Sequence, residues 1–199
     1  MMTRHLRASR RGLSSVERHV CPWWAGYFLA SPVRRLAQEP YAILGPWVDD
    51  GMRVLEPGSG MGYFSIPLAR FVGPKGRVVC VDLQERMLAG LKKRARRAGV
   101  LDRLEPRLCT EESLGVDDLS GTMDFALAFA IVHEVPDARA LFQQLHRALR
   151  RAGRILLAEP TRVSRDEFAV TVETALEVGF VAVSSPSIGR SHSLVIEKA

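Results

Sequence analysis

Apolar residues along this chain fall into short runs separated by longer amphipathic stretches, and from about residue 50 onward the two alternate regularly. Residues 52–56 predict a strand and residues 63–71 a helix, after which Gly73-Pro74-Lys75-Gly76 turns the chain into a second strand over 77–82. A helix over 86–98 is stopped by Gly99, and strands follow over 104–108 and 123–129. A helix over 138–150, a turn at Gly153 and a fifth strand over 154–158 come next, then a helix over 165–178 closed by Gly179. Strand–helix alternation of this kind predicts right-handed crossovers and a parallel sheet covered on both faces. The end of the chain breaks the pattern. Residues 180–184 and 193–197 are β-prone runs joined by a Pro/Ser/Gly-rich loop with no room for a helix, so they predict an antiparallel hairpin.

The first 49 residues read differently. Residues 1–18 lack apolar periodicity and are expected to be a disordered basic leader. Residues 22–38 are amphipathic, with Trp23, Trp24, Tyr27, Phe28, Val33 and Leu36 as interior positions and Pro32 as a break, and a short helix is expected over 41–48. The expected organisation is one domain over 19–199, made of a helical cap at 19–49 and an α/β core at 50–199.

Charge adds little to this picture once it is divided. The net charge is +6, but Arg4, Arg7, Arg10, Arg11 and Arg18 against Glu17 place +4 in the first 18 residues and leave +2 for the remainder. No apolar run approaches the roughly 20 residues needed to span a bilayer. Cys21, Cys80 and Cys109 are too few and too scattered for a disulfide framework, and no Cys-x-x-Cys pair suggests zinc. Reduced thiols fit a cytoplasmic protein. Ser9-Arg10-Arg11-Gly12-Leu13 resembles an export signal only faintly, because Glu17, Arg18 and His19 interrupt the approach to the apolar stretch.

Candidate chemistry concentrates in Glu56-Pro57-Gly58-Ser59-Gly60-Met61-Gly62-Tyr63, between the first strand and the helix after it. Glycine permits positive φ and lets a ligand lie on the main chain, while the following helix start offers unpaired N–H groups. A dinucleotide fingerprint has its third glycine three positions after the second, whereas here it comes two positions after. Glu56 would also sit badly beside a pyrophosphate and well beside an ammonium group. Acid-x-Gly-x-Gly-x-Gly resembles the first motif of the class I S-adenosylmethionine-dependent methyltransferases.

Further segments extend the resemblance over about residues 50–199. Val78-Val79-Cys80-Val81-Asp82-Leu83 is an apolar strand ending in an acid, as in that family and in NAD enzymes alike. Leu108-Cys109-Thr110-Glu111-Glu112-Ser113-Leu114 resembles the family's Gly-Asp-Ala-Glu-x-Leu segment, with Thr110 where the acid is usual. The segment from Phe125 through Phe129, Ala130 and His133 to Asp137 resembles the fourth-strand region of the small-molecule branch, which includes ubiquinone-biosynthesis and sterol methyltransferases. The resemblance implies a Rossmann-like α/β fold: a mostly parallel seven-stranded sheet with an antiparallel last strand and an amino-terminal helical cap.

It also implies S-adenosylmethionine as cofactor and no metal. Glu56 would lie at the methionine amino end, and Gly58, Ser59, Gly60 and Tyr63 against the methionine and ribose. Asp82 would take the ribose hydroxyls and Leu83 the adenine face. Either Thr110 or Glu111 would read the adenine edge, with Phe129 bordering the cofactor. Methyl transfer needs a base only when the nucleophile must lose a proton, and His133 is the candidate for a base or an orienting group. In this fold the amino-terminal helices often cover the pocket, which makes His19, Cys21, Trp24 and Tyr27 candidates for substrate contact, and Arg190 and His192 before the last strand are placed to read an anionic group. The expected acceptor is a small molecule. The basic run Lys92-Lys93-Arg94-Ala95-Arg96-Arg97 lacks interleaved aromatics and reads as a solvated helix face rather than a nucleic-acid patch. A metalloid acceptor would need Cys21 to meet Cys109 in space. A protein that binds the cofactor without catalysis, and an NAD-linked oxidoreductase, remain as other readings.

Overall fold

The structure is a computed structural model that describes residues 38–199. The expected leader and most of the expected cap, including His19, Cys21, Trp24 and Tyr27, lie outside the described residues. The described chain opens on a short helix α1 (Pro40–Leu44). It continues as β1 (Arg53–Pro57), α2 (Ser65–Phe71), β2 (Arg77–Asp82), α3 (Glu85–Ala98), β3 (Leu104–Leu108) and β4 (Met123–Phe129). The remainder is α4 (Ala138–Ala148), β5 (Leu149–Pro160), α5 (Arg165–Val178), β6 (Phe180–Ser184) and β7 (Ser191–Lys198). The seven strands form one sheet in the order β3-β2-β1-β4-β5-β7-β6. The first five pair in parallel, and β7 runs antiparallel to both β5 and β6.

Apolar runs in the inner strands are continuous because both faces of the sheet are buried. Val54, Val78, Cys80, Phe125, Leu127 and Leu156 pack with α2 and α3 on one face, while Leu55, Val79, Val81, Ala126, Ala128 and Ile155 pack with α4 and α5 on the other. Successive residues of one strand therefore enter opposite cores, as a side-chain period of two requires.

Several boundaries differ from the sequence reading, most of them by one or two residues. Helix α4 ends at Ala148, two residues early, because the N–H groups of Gly121 and Thr122 take the carbonyls of Arg147 and Ala148, and Leu149 drops fully into the core. The Lys198 ammonium adds a charge-assisted cap, donating to the carbonyls of His146 at 2.6 Å and Leu149 at 2.7 Å. Strand β5 consequently starts at Leu149, with a register shift opposite Met123 and Phe125 that Ala152, at φ 57°, accommodates. Helix α1 is shorter than expected, since Gly45-Pro46 ends it one turn after the Glu39 side chain accepts the Ala42 N–H.

Candidate active site

Strand order reverses between β1 and β4, and in an open parallel sheet that is where a crevice forms at the carboxyl ends of the strands. A cleft of about 930 Å³ lies there. Its floor is the loop after β1. Gly58, Gly60 and Gly62 have φ of 70°, 54° and 82°, so the three glycines occupy left-handed conformations that other residues adopt only with strain. Their surroundings differ. A β-carbon at Gly58 would stand 2.7 Å from Ile131 Cδ1, and one at Gly62 2.3 Å from Leu91 Cδ1, whereas one at Gly60 meets nothing within 4 Å among the described residues beyond its chain neighbours. Gly58 and Gly62 let the loop pack down, and Gly60 leaves the cleft side of the main chain open.

Two carboxylates hold this loop. Glu56, at the end of β1, is buried and accepts the Ser65 hydroxyl at 2.5 Å, which ties the strand to the first residue of α2. Asp82, at the end of β2, accepts the Gly60 N–H at 2.8 Å and the Gln84 N–H at 2.9 Å. Burial pushes its carboxyl above the usual range against the opposing pull of the N–H groups of Gln84, Gly60 and Leu83. Asp82 thus shapes the loop and still presents lone pairs to the cleft. The Ser59 hydroxyl is buried in the cleft wall and has no hydrogen-bond partner among the described residues. A buried, unpaired hydroxyl beside an open main chain marks a place where a polar ligand belongs.

The wall after β3 contains Cys109, Thr110, Glu111 and Leu114. The Thr110 hydroxyl accepts the Ser113 N–H at 3.1 Å and the Thr110 N–H donates to the Ser113 carbonyl at 3.0 Å, so Thr110 closes the turn on which Glu111 is carried. Gln144 of α4 locks the turn in place by accepting the Leu114 N–H at 2.7 Å. Burial foremost, with the Asp82 charge adding to it, pushes the Cys109 thiol up to about 11. At pH 8 the thiolate fraction is then about a hundredfold below that of an ordinary thiol. Alkylation of Cys109 by iodoacetamide, followed by peptide mass spectrometry, is expected to keep accelerating up to about pH 11. A ligand that fills the cleft is expected to block it, and a rate that levels off near pH ~8.5 would contradict this environment.

The far wall is built by the chain leaving β4. Ala130 sits at φ 56°, an uncommon conformation for a residue with a β-carbon, and its N–H donates to the Ala158 carbonyl at 2.7 Å. The reversal brings the short helical turn Val132–Glu134 over the cleft. His133, the residue expected to face the transfer site, is not among the residues lining the cleft. Its Nδ1–H donates to the carboxylate of Glu159, itself buried at the end of β5, and Glu159 also accepts the Val132 N–H at 2.8 Å. On the other side of the ring Nε2 lies 2.6 Å from Arg162 Nη2, an arrangement that makes Nε2 the acceptor. Glu134, Asp137 and Arg162 are the charged side chains among the described residues that line the cleft here.

The family described as a methyltransferase domain matches residues 48–184, more than two thirds of the chain. The chain belongs to that family. Protein-L-isoaspartate O-methyltransferase from Thermotoga maritima is 32% identical over 126 residues, 62% of this chain and 37% of that protein. The ubiquinone/menaquinone biosynthesis C-methyltransferase UbiE from Escherichia coli is 28% identical over 149 residues, 75% of this chain and 55% of that protein. The chain therefore spans roughly half or less of the length of these curated relatives. A solved S-adenosylmethionine-dependent methyltransferase from Aquifex aeolicus superposes with a TM-score of 0.79 at 21% identity, covering 89% of this chain and 98% of that one. At that identity the likeness shows the fold, and it is the expected class I methyltransferase fold.

In this methyltransferase domain the structure brings together Glu56, Gly58, Ser59, Gly60, Tyr63, Asp82, Leu83, Thr110, Glu111 and Phe129, all of which line the one cleft. Tyr63 also donates its hydroxyl to the Gln38 carbonyl at 2.5 Å, anchoring the start of the described chain at the cleft rim. Arg190 and His192 lie elsewhere: neither lines the cleft, Arg190 is exposed, and the His192 ring stacks on Phe168 with centroids 5.5 Å apart. Glu134, Glu159, Arg162 and Gln144 were missed. For Glu159 the signal was present, since Leu156-Leu157-Ala158-Glu159 ends an apolar strand in an acid just as β1 and β2 do. Among the described residues no helix is long and apolar enough to cross a membrane.

Proposed function

We propose that this domain transfers the methyl group of S-adenosylmethionine to a small-molecule acceptor. The observation that carries the reading is the convergence of Asp82, the unpaired Ser59 hydroxyl and the open main chain at Gly60 on one cleft. These residues fit the cofactor. Asp82 and Gly60 would hold the ribose, Glu56 and Ser59 the amino-acid end, and Leu83 with Thr110 or Glu111 the adenine. When bound, the cofactor supplies a methyl group on a sulfonium, already activated for displacement. The protein's work is then to align and to exclude water. His133, held between Glu159 and Arg162, acts in this reading as an orienting group for the acceptor wall.

Charge supports a small acceptor over nucleic acid. Among the described residues, Glu56, Asp82, Glu111, Glu112, Glu134 and Asp137 line the cleft against the guanidinium of Arg162. A polyphosphate chain would enter against that field. Free thiols at Cys80 and Cys109 agree with a cytoplasmic setting.

Calorimetric titration of the full chain with S-adenosylmethionine, S-adenosylhomocysteine and NAD tests the reading. Micromolar binding of the first two and none of the third is the expected result. Binding of NAD alone, or of nothing, would overturn it. Tritium transfer from labelled cofactor to any acceptor would exclude a binding protein without catalysis.

A further inference from the structure

The carboxylates lining the cleft are not equivalent. Glu56 accepts the Ser65 hydroxyl, Asp82 accepts two backbone N–H groups, and Asp137 caps α4 by accepting the Ala140 N–H at 3.0 Å. Glu111 and Glu112 are exposed on the turn after β3. Glu134 differs from all of them. Its side chain is only 22% exposed, and His133 Nε2 at 3.8 Å and Arg162 Nη2 at 4.0 Å both lie beyond hydrogen-bond length. Among the described residues nothing donates a hydrogen bond to it.

The reason Arg162 does not close on Glu134 is visible next door. Glu159 takes the Nδ1–H of His133, which leaves Nε2 as an acceptor, and Arg162 is drawn to that nitrogen at 2.6 Å. The Glu159–His133–Arg162 chain parks the guanidinium on Nε2 of the ring, and the Glu134 carboxylate is left lining the cleft. A half-buried carboxylate without a donor is costly, and a ligand N–H⁺ group offsets that cost better than any neutral donor.

Resting on the reading of the cleft as a methyl-transfer site, we propose that the acceptor is an amine, received as its ammonium form by Glu134. Before transfer the ammonium gives one proton to the Glu134 carboxylate, leaving a neutral amine and a carboxylic acid. The amine lone pair then forms the new N–C bond to the methyl carbon as the C–S bond breaks. The bonding pair stays on sulfur, and the products are a neutral thioether and an N-methylammonium. The surroundings suit proton uptake. Burial foremost raises the Glu134 carboxyl above the ordinary range, the Arg162 guanidinium opposes the rise, and Glu159 and Asp82 add to it. A carboxylate or phosphate acceptor would instead bring a further negative charge into a cleft already lined by six acids.

Three near-isosteric probes test this on the full chain saturated with S-adenosylhomocysteine: phenethylamine, 2-phenylethanol and 3-phenylpropanoate. Calorimetry near pH ~7 is expected to show the amine binding at least about tenfold more tightly than the alcohol, with no detectable binding of the acid. In Glu134→Gln the preference for the amine is expected to fall to within about twofold, while Glu134→Asp retains part of it. Unchanged affinity for S-adenosylhomocysteine shows that both variants are folded with the cofactor region intact. Failure of the wild type to bind S-adenosylhomocysteine would sink the proposed function itself. Normal binding of that ligand, together with an alcohol or acid that binds as well as the amine, no binding of any probe, or an amine preference that survives Glu134→Gln, would overturn the amine assignment alone.

Discussion

Asp82→Ala is expected to weaken binding of S-adenosylmethionine and S-adenosylhomocysteine by about a hundredfold or more. The carboxylate has two jobs at the end of β2. It accepts the N–H groups of Gly60 and Gln84, which sets the glycine loop, and in the proposed complex it takes the ribose hydroxyls. A hydrogen bond to a charged group contributes about 1.5–3 kcal/mol, so loss of two on the ligand side alone reaches the stated factor. Asp82→Asn keeps an acceptor but loses the charge, and an intermediate loss is expected. The asparagine variant also reports on burial. Because the folded protein raises the Asp82 carboxyl, folding holds on to its proton, and this group's contribution to stability is fully present below the ordinary carboxylate range and declines as pH rises through the raised folded value. Wild type is therefore expected to gain in melting temperature relative to Asp82→Asn as pH is lowered from neutrality into the ordinary carboxylate range near ~4. Calorimetric affinities within a factor of about 3 of wild type for the alanine variant would show that the ribose is held elsewhere.

Glu159→Ala is expected to destabilise the fold by about 2–5 kcal/mol, a fall in melting temperature of roughly 5–15 °C for a domain of this size. The side chain is 1% exposed and accepts two donors, the Val132 N–H and His133 Nδ1–H. Its removal leaves both donors buried without a partner and opens a cavity where β5 meets the turn after β4. Glu159→Gln retains an acceptor for Val132, and a loss of about 1–2 kcal/mol is expected. Because the same carboxylate orients His133 and, through it, Arg162, the alanine variant is also expected to let Arg162 close on Glu134 and remove the amine preference. A melting temperature equal to wild type would show that Glu159 is not the anchor of this wall.

Much of the molecule was legible before any coordinates. Strand bounds at 77–82, 104–108, 123–129 and 180–184 and the helix at 165–178 are those observed, because short apolar runs mark the strands and Gly179 closes the helix. The last of these helices carries a full capping box, Ser164 with Glu167. The boundary between α4 and β5 was decided by distant partners. Nothing local in 148–153 says that Gly121, Thr122 and Lys198 will take the last carbonyls of α4 and so start β5 at Leu149.

The same division runs through the site. The sequence by itself determined the glycine loop and the acids at the ends of β1 and β2, because a tight turn between an apolar strand and a helix admits few residue types and leaves a short-range mark. Tertiary structure decided the opposite wall. Glu134, Glu159 and Arg162 come from the ends of two strands that are adjacent only in the sheet, and what each does depends on which neighbour takes its hydrogen bond. His133, the one candidate named there from sequence, has both ring nitrogens engaged, while the carboxylate beside it is left facing the cleft. Hydrogen-bond partnership between residues some 26 positions apart carries no periodicity and no spacing rule, so only the folded chain could assign it.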